Sequence, residues 1–138
     1  MATTWASDKF QLPLQIANLA MTNYDTINVP CRLFQRDILI LTPGDEVEIV
    51  NPQTGKKEKY SLPMFDAFVS NLPFVKSRDI PDDDLSYTSI INQDYNLSGR
   101  SDFSYYISLH LNNLVKVGGY VGIVLSNSFL GTEAGSIF

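Results

Sequence analysis

The sequence predicts an α/β fold, a mostly parallel sheet with an inserted β-hairpin. Apolar runs of strand length alternate with helical patterns, and this order is typical of parallel strands joined by helices. Two of the runs, 65–70 and 120–125, have the composition of parallel strands buried on both faces. Polar and apolar residues alternate on both sides of a turn at 51–55, which indicates the hairpin.

The first half of the chain shows a simple order of elements. The expected elements are a strand at 3–6, a helix from about 13 to 21, a strand at 32–35 that runs up to Asp37, hairpin strands at 46–50 and 57–60, and a strand at 65–70. Pro13 suits the first position of its helix because that position needs no amide donor. The last of these strands must stop before Pro73, which lacks a donor and holds Leu72 in an extended conformation.

The second half begins with a long polar stretch, Val75 to Arg100, which we interpret as a lid or binding loop. We interpret the three aspartates at 82–84 within it as a solvated turn or a helix start, since consecutive carboxylates rarely converge on a metal. The elements expected next are a helix capped by Ser101 or Asp102 that continues to Leu114 and ends at Gly118-Gly119, the strand at 120–125, and a new helix near Thr132. His110 lies within the apolar stripe of the first of these helices and is expected to be a core residue.

Composition limits the function classes. The 138 residues suffice for one domain, and no apolar run approaches the roughly 18 residues of a membrane-spanning helix. A single cysteine, Cys31, and a single histidine exclude an internal disulfide and a Cys/His metal site, so no metal is expected. We expect a cytoplasmic protein, because the N-terminus lacks the pattern of a secretory signal.

The net charge of −5 provides no general footprint for nucleic acid. Lys56, Lys57 and Lys59 form the one cationic cluster of the sequence, and Glu58 interrupts it. We interpret this cluster as a solvated hairpin tip in preference to a phosphate contact. Any basic surface for DNA or RNA is therefore expected to be local or to lie outside these residues.

The stretch Phe65 to Phe74, FDAFVSNLPF, resembles the catalytic strand and tetrapeptide of the N6-adenine DNA methyltransferases of restriction-modification systems. Their tetrapeptide is Asn/Asp/Ser-Pro-Pro-Tyr/Phe, and here it stands as Asn71-Leu72-Pro73-Phe74. The stretch 118–130, GGYVGIVLSNSFL, is similar to a second strand-and-exit pattern of the family. The resemblance covers residues 65–138 well and 1–41 loosely, and it implies a partial Rossmann-like, S-adenosylmethionine-dependent methyltransferase fold.

The resemblance also implies roles for the four residues. The side-chain oxygen of Asn71 and the backbone carbonyl of Leu72 would accept the two hydrogens of the adenine amine. Pro73 would hold the turn, and Phe74 would stack on a target base flipped out of the duplex. Leu72 departs from the usual proline; its carbonyl remains, while the turn becomes less stiff.

Two acids resemble the cofactor ligands of the family. Asp37 is similar to the acid that binds the adenine amine of S-adenosylmethionine, and Asp8 to the acid that binds its ribose. For each carboxylate the alternative is a helix cap or an exposed loop acid.

Two parts of the family pattern are missing from the sequence: a glycine-rich cofactor loop before Thr3, and a target-recognition domain. Residues 1–138 are therefore expected to be a partial catalytic domain that binds cofactor poorly by itself, with DNA contacted largely through regions outside the chain. A specificity or restriction subunit is a possible partner. Alternative hypotheses are a methyltransferase acting on another planar amine (a glutamine amide, an RNA base or cytosine N4) and a non-catalytic truncated subunit.

Overall fold

The computed structural model describes residues 3–21, 31–51, 54–97 and 101–127 of the chain. The fold is mixed α/β, with small sheets of parallel and antiparallel strands, and this confirms the predicted class. The chain divides into two compact units, Met1–Pro63 and Met64–Phe138, which we call the first and second unit. The helix expected near Thr132 lies outside the described residues.

The first unit contains a parallel strand pair and a hairpin. Its elements are β1 (Thr4–Asp8), α1 (Gln11–Met21), β2 (Cys31–Gln35), β3 (Glu46–Val50) and β4 (Lys57–Ser61). β1 pairs parallel with β2, and β3 pairs antiparallel with β4. Val47 and Ile49 are buried while Glu46 and Glu48 are exposed, so the alternation predicted the hairpin correctly.

The second unit pairs two strands and packs two helices. Its elements are β5 (Phe65–Asn71), α2 (Asp82–Tyr95), α3 (Phe103–His110) and β6 (Val115–Val124). All eight residues of α3 are buried, so this helix lies in the core on every side and not along one stripe alone. His110 is among them, as predicted for a core histidine.

The described strands form three two-stranded sheets, β1–β2, β3–β4 and β5–β6, where the sequence predicted one mostly parallel sheet. The prediction that the strands at 65–70 and 120–125 are buried on both faces is wrong. Val69 is 84% exposed and Tyr120 is 78% exposed. A parallel strand is buried only when neighbours cover its edges and helices cover its faces. β5 and β6 have only each other as strand partners within the described part of the chain.

The prediction of a long loop at 75–100 is also wrong, because α2 occupies about half of that stretch. Its buried residues are Asp84, Thr88 and Ile91, at helical spacing, but two of the three are polar and conceal the pattern. The alternative that the aspartates start a helix is confirmed, since α2 begins at Asp82. None of the helices described in either unit is long and apolar enough to cross a membrane.

The helix that follows starts where predicted and ends earlier. Asp102 is the N-cap of α3, while a 3₁₀ turn at Leu111–Asn113 closes the helix before β6 begins at Val115. Gly118 and Gly119 therefore lie inside β6, and the prediction that they stop the helix is wrong. The glycines instead form a bulge in the strand.

Candidate functional site

The four residues of the predicted tetrapeptide lie at the carboxyl end of β5. Asn71 is the last residue of the strand, is exposed, and pairs with Val124 of β6. Leu72 is only 3% exposed, and Phe74 is 58% exposed. The segment therefore presents an amide and an aromatic ring to solvent on either side of a buried anchor.

The backbone on both sides of these exposed groups is held in place. Leu72 packs into the core of the second unit, and Pro73 supplies no amide donor with which to extend the ladder. One residue beyond the tetrapeptide, the Val75 carbonyl accepts a hydrogen bond of 2.9 Å from the amide of Phe103, the first residue of α3. Asn71 and Phe74 are thus exposed side chains on a segment fixed at both ends.

An open depression lies at the carboxyl end of the β5–β6 pair. It has a volume of about 540 Å³, and its lining residues are Val69, Ser70, Asn71, Gly122, Ile123 and Val124. Because most of these side chains are apolar, the depression suits a flat, weakly polar group better than a charged one. Of its two polar residues, Asn71 shares a face of β5 with Val69, while Ser70 points to the other face.

The two predicted cofactor acids lie at the carboxyl edge of the β1–β2 pair in the first unit. Asp8 is the last residue of β1, and Asp37 follows the end of β2 by two positions. The amide of Arg36 donates to the Asp8 carbonyl at 3.0 Å, which joins the two strand ends. In open α/β sheets this edge is where ligands bind.

Each acid also has a local structural role. The Asp8 carboxylate accepts a hydrogen bond of 2.7 Å from the amide of Phe10, just before α1. Asp37 caps the 3₁₀ turn Ile38–Ile40 by accepting from the Leu39 amide at 3.0 Å. The capping alternative is therefore observed for Asp37, and Asp8 has a comparable role in the turn before α1.

Lys9 was not predicted from the sequence, and its ammonium nitrogen lies 2.9 Å from Oδ2 of Asp37. The partners are far apart in the sequence, so only knowledge that β1 and β2 are parallel neighbours could have revealed the pair. The Asp37 side chain is 19% exposed and its carboxylate keeps free lone pairs beyond these two contacts. It can still accept a hydrogen bond from a ligand amine or hydroxyl.

The tetrapeptide belongs to the second unit and the two acids belong to the first. Within each unit, the fold places these predicted site residues at the carboxyl end of a parallel strand pair. The described residues contain no group of three or more His, Cys, Asp or Glu side chains that could hold a metal ion.

The lysines of the hairpin pair mainly with glutamates across it. Lys57 lies 3.0 Å from Glu48 and Lys59 lies 2.6 Å from Glu46, all four side chains being well exposed. The hydrogen bond and charge of Lys57 lower the pKa of Glu48, as expected for a solvated ion pair. These observations support the interpretation of the cluster as a solvated hairpin tip.

A second feature that the sequence did not reveal is a stack around Arg32 in the first unit. Its guanidinium lies 4.6 Å from the ring centroid of Trp5 and 4.0 Å from that of Tyr60. The Tyr60 hydroxyl donates to Glu58, and this hydrogen bond is the main cause that lowers the pKa of Glu58 and raises that of Tyr60. The stack joins β4 to the β1–β2 pair.

Comparison with known proteins assigns this chain to no family. No protein-family model matches the chain, and no curated protein matches its sequence. The functional assignment therefore depends on the residues and their geometry.

Proposed function

We propose that this chain is part of the catalytic domain of an S-adenosylmethionine-dependent methyltransferase that methylates N6 of adenine in DNA. The observation on which the proposal rests is the carboxyl end of β5, where exposed Asn71 precedes buried Leu72 and exposed Phe74. The proposal includes the finer fold, a partial Rossmann-like fold of the kind that S-adenosylmethionine-dependent methyltransferases have.

The proposed chemistry follows from the weakness of the nucleophile. The lone pair of the adenine amine is delocalised into the ring, so the nitrogen must be moved toward tetrahedral geometry before it can attack. Two acceptors directed at its hydrogens favour that change, and we assign these roles to Oδ1 of Asn71 and the carbonyl of Leu72. The buried Leu72 side chain keeps its backbone in place, so that the acceptor needs no reorganisation during the reaction.

We assign Phe74 the role of stacking on the target base, which would rest on the face of its ring. A base inside a duplex cannot present its amine to Asn71, so the nucleotide must be flipped out of the stack. The exposed ring of Phe74 lies three residues from Asn71 on a backbone held by Leu72 and the Val75–Phe103 hydrogen bond. Stacking on such a ring offsets part of the cost of leaving the helix.

The acceptors of the first unit fit the polar groups of the cofactor. The carboxylates of Asp8 and Asp37 could accept from ribose hydroxyls and from the adenine amine, respectively, since each keeps acceptor capacity beyond its local contacts. S-adenosylmethionine, when bound, would supply the methyl group: a bond from N6 to the methyl carbon would form as the carbon–sulfur bond breaks, the neutral thioether would leave, and one N6 hydrogen would pass to solvent as a proton. Lys9 orients Asp37 through their ion pair.

The wider setting is part of the same proposal. A net charge of −5 supports DNA contacts made mainly by other regions of the complete protein, or by a specificity or restriction subunit. We also propose a cytoplasmic enzyme of a restriction-modification system, as the resemblance of Asn71-Leu72-Pro73-Phe74 to the tetrapeptide of such enzymes implies.

The test is methyl transfer by the complete protein that contains this chain. Tritiated S-adenosylmethionine would be supplied with duplex DNA, with tRNA or with a glutamine-containing peptide, and DNA products would be digested to separate N6-methyladenine from N4-methylcytosine. We expect label in N6-methyladenine, and a loss of about 100-fold in kcat for Asn71→Ala. Asn113→Ala removes another exposed asparagine of the second unit and should retain full activity.

The results separate the alternatives. Label in tRNA, peptide or N4-methylcytosine would replace the proposed substrate with another planar amine. Absence of transfer to all of them would favour the non-catalytic subunit, and Asn71→Ala activity equal to that of Asn113→Ala would contradict the assigned role of Asn71.

A further inference from the structure

β6 contains an irregularity just before the stretch that pairs with the carboxyl half of β5. Between the pairs Phe65–Val115 and Ala67–Tyr120, β5 advances by two residues while β6 advances by five. Beyond that point the strands run in step to the end of β5. This bulge, residues 116–119, therefore decides which residue of β6 stands beside Asn71.

The bulge requires glycine at two successive positions. Gly118 has a φ of +80°, a left-handed conformation that most L-residues avoid. A Cβ atom on Gly119 would lie 2.6 Å from Cγ1 of Val115 and 2.9 Å from the carbonyl oxygen of Asp66. Since real Cβ atoms do not approach other atoms so closely, β6 closes against β5 in this way only with glycine at position 119.

An ion pair crosses the two strands at the same place. Nζ of Lys116 lies 2.7 Å from Oδ1 of Asp66, whose carbonyl is the group that Gly119 approaches. Both side chains are at least half exposed, so the pair supplies orientation and little energy. The close backbone approach is therefore the main determinant of the register.

We propose that Gly118 and Gly119 are positioning residues for Asn71, because they set the register in which β6 lines the candidate site. This inference rests on the proposed function. A slip of one residue would move β6 by about 3.3 Å along β5 and turn its side chains to the opposite face. A displacement of about 1 Å at a reacting centre already costs about 100-fold in rate.

The first test measures the register without any assay of activity. Inter-strand nuclear Overhauser effects for the pairs Val69–Gly122 and Ser70–Ile123 would be recorded on the 138-residue chain. We expect Gly119→Ala to lose these contacts. Retention of both pairs by Gly119→Ala would overturn the inference.

A second set of variants tests whether the glycines set the register of β6, even if Gly119→Ala does not fold. Gly118→Val should lose the register, and Gly118→Asn should keep it, because asparagine tolerates the left-handed conformation. The matched control is Gly55→Val: Gly55 also has a positive φ, +67°, with open space around its Cβ position, but lies in the hairpin turn. Normal pairing in Gly118→Val would contradict the proposal.

The third measurement is kinetic and uses the complete protein. We expect Gly119→Ala to lower kcat by about 100-fold per folded molecule, with the KM for S-adenosylmethionine unchanged. A merely structural role would reduce the amount of folded protein and leave its kcat unaltered, which would refute the positioning role. If the wild-type protein transfers no methyl group while Gly119→Ala still shifts the register, the bulge sets the register as inferred and only the proposed function fails.

Discussion

Replacement of Phe74 by alanine separates a catalytic role from a structural one. The side chain is 58% exposed, so less than half of its surface contributes to the folded state. Full burial of a phenylalanine contributes about 1.5–3 kcal/mol, and the loss of stability for Phe74→Ala should therefore be about 1 kcal/mol. If the ring stacks on a flipped base, the same change removes about 1–3 kcal/mol of binding to that base. This corresponds to a decrease of about 5- to 150-fold in kcat/KM.

Two assays on the same variants measure the two effects. Urea denaturation gives the free energy of unfolding, and transfer of a tritiated methyl group to duplex DNA gives kcat/KM. Phe74→Tyr keeps an aromatic face and should retain activity, whereas Phe103→Ala removes a side chain that is 8% exposed and should cost about 3–5 kcal/mol of stability. The reasoning is refuted if Phe74→Ala keeps kcat/KM within about twofold of the wild type.

Two further predictions concern stability. Leu114 is fully buried, so Leu114→Ala should lower the free energy of unfolding, measured by urea denaturation, by about 2–5 kcal/mol. The control Leu85→Ala changes a side chain that is 42% exposed and should cost under about 1 kcal/mol. Equal losses in the two variants would contradict the assignment of Leu114 to the core. The hydrogen bond from Tyr60 lowers the pKa of Glu58 and raises that of Tyr60. Its contribution to the free energy of unfolding is therefore complete between the two ordinary pKa values, about 4.3 and 10. The contribution declines at lower pH as Glu58 is protonated and at higher pH as Tyr60 ionises. Urea denaturation at several pH values should show a difference in the free energy of unfolding between wild type and Tyr60→Phe that is largest near neutral pH. A difference that does not change with pH would contradict this prediction.

The parts of the fold that the sequence predicted have local causes. Alternation on both sides of a turn specified the hairpin of β3 and β4, because every second residue of β3 is buried and the alternate residues of β4 are half-buried. The end of β5 was predictable from Pro73, which cannot donate to a ladder. The start of α3 was predictable to within one residue, since Ser101 and Asp102 were both candidate N-caps before an apolar helix, and Asp102 holds that position without a side-chain capping hydrogen bond.

The parts that the sequence did not predict depend on contacts between distant residues. A helix start at 82–84 was one predicted alternative, but the extent of α2 was missed because Asp84 and Thr88 occupy core positions that the hydrophobic pattern assigns to apolar residues. Gly118 and Gly119 were predicted to end the helix, since nothing in the neighbouring sequence shows that position 119 approaches the carbonyl of Asp66. The ion pair of Lys9 with Asp37 likewise exists only after β1 and β2 pair.

Exposure alone does not single out the proposed site, because Val69 and Tyr120 are exposed even more than Phe74. Those two side chains lie on a face of the β5–β6 pair, where exposure follows from having no covering layer in the described part of the chain. Phe74 differs because it lies beyond the strand, and its backbone is held between buried Leu72 and the Val75–Phe103 hydrogen bond. The fold thus orders the backbone that bears an aromatic ring while burying less than half of that ring. Folding stability accounts for the ordered backbone, and under the proposed function a base stacked on Phe74 would account for the choice of side chain.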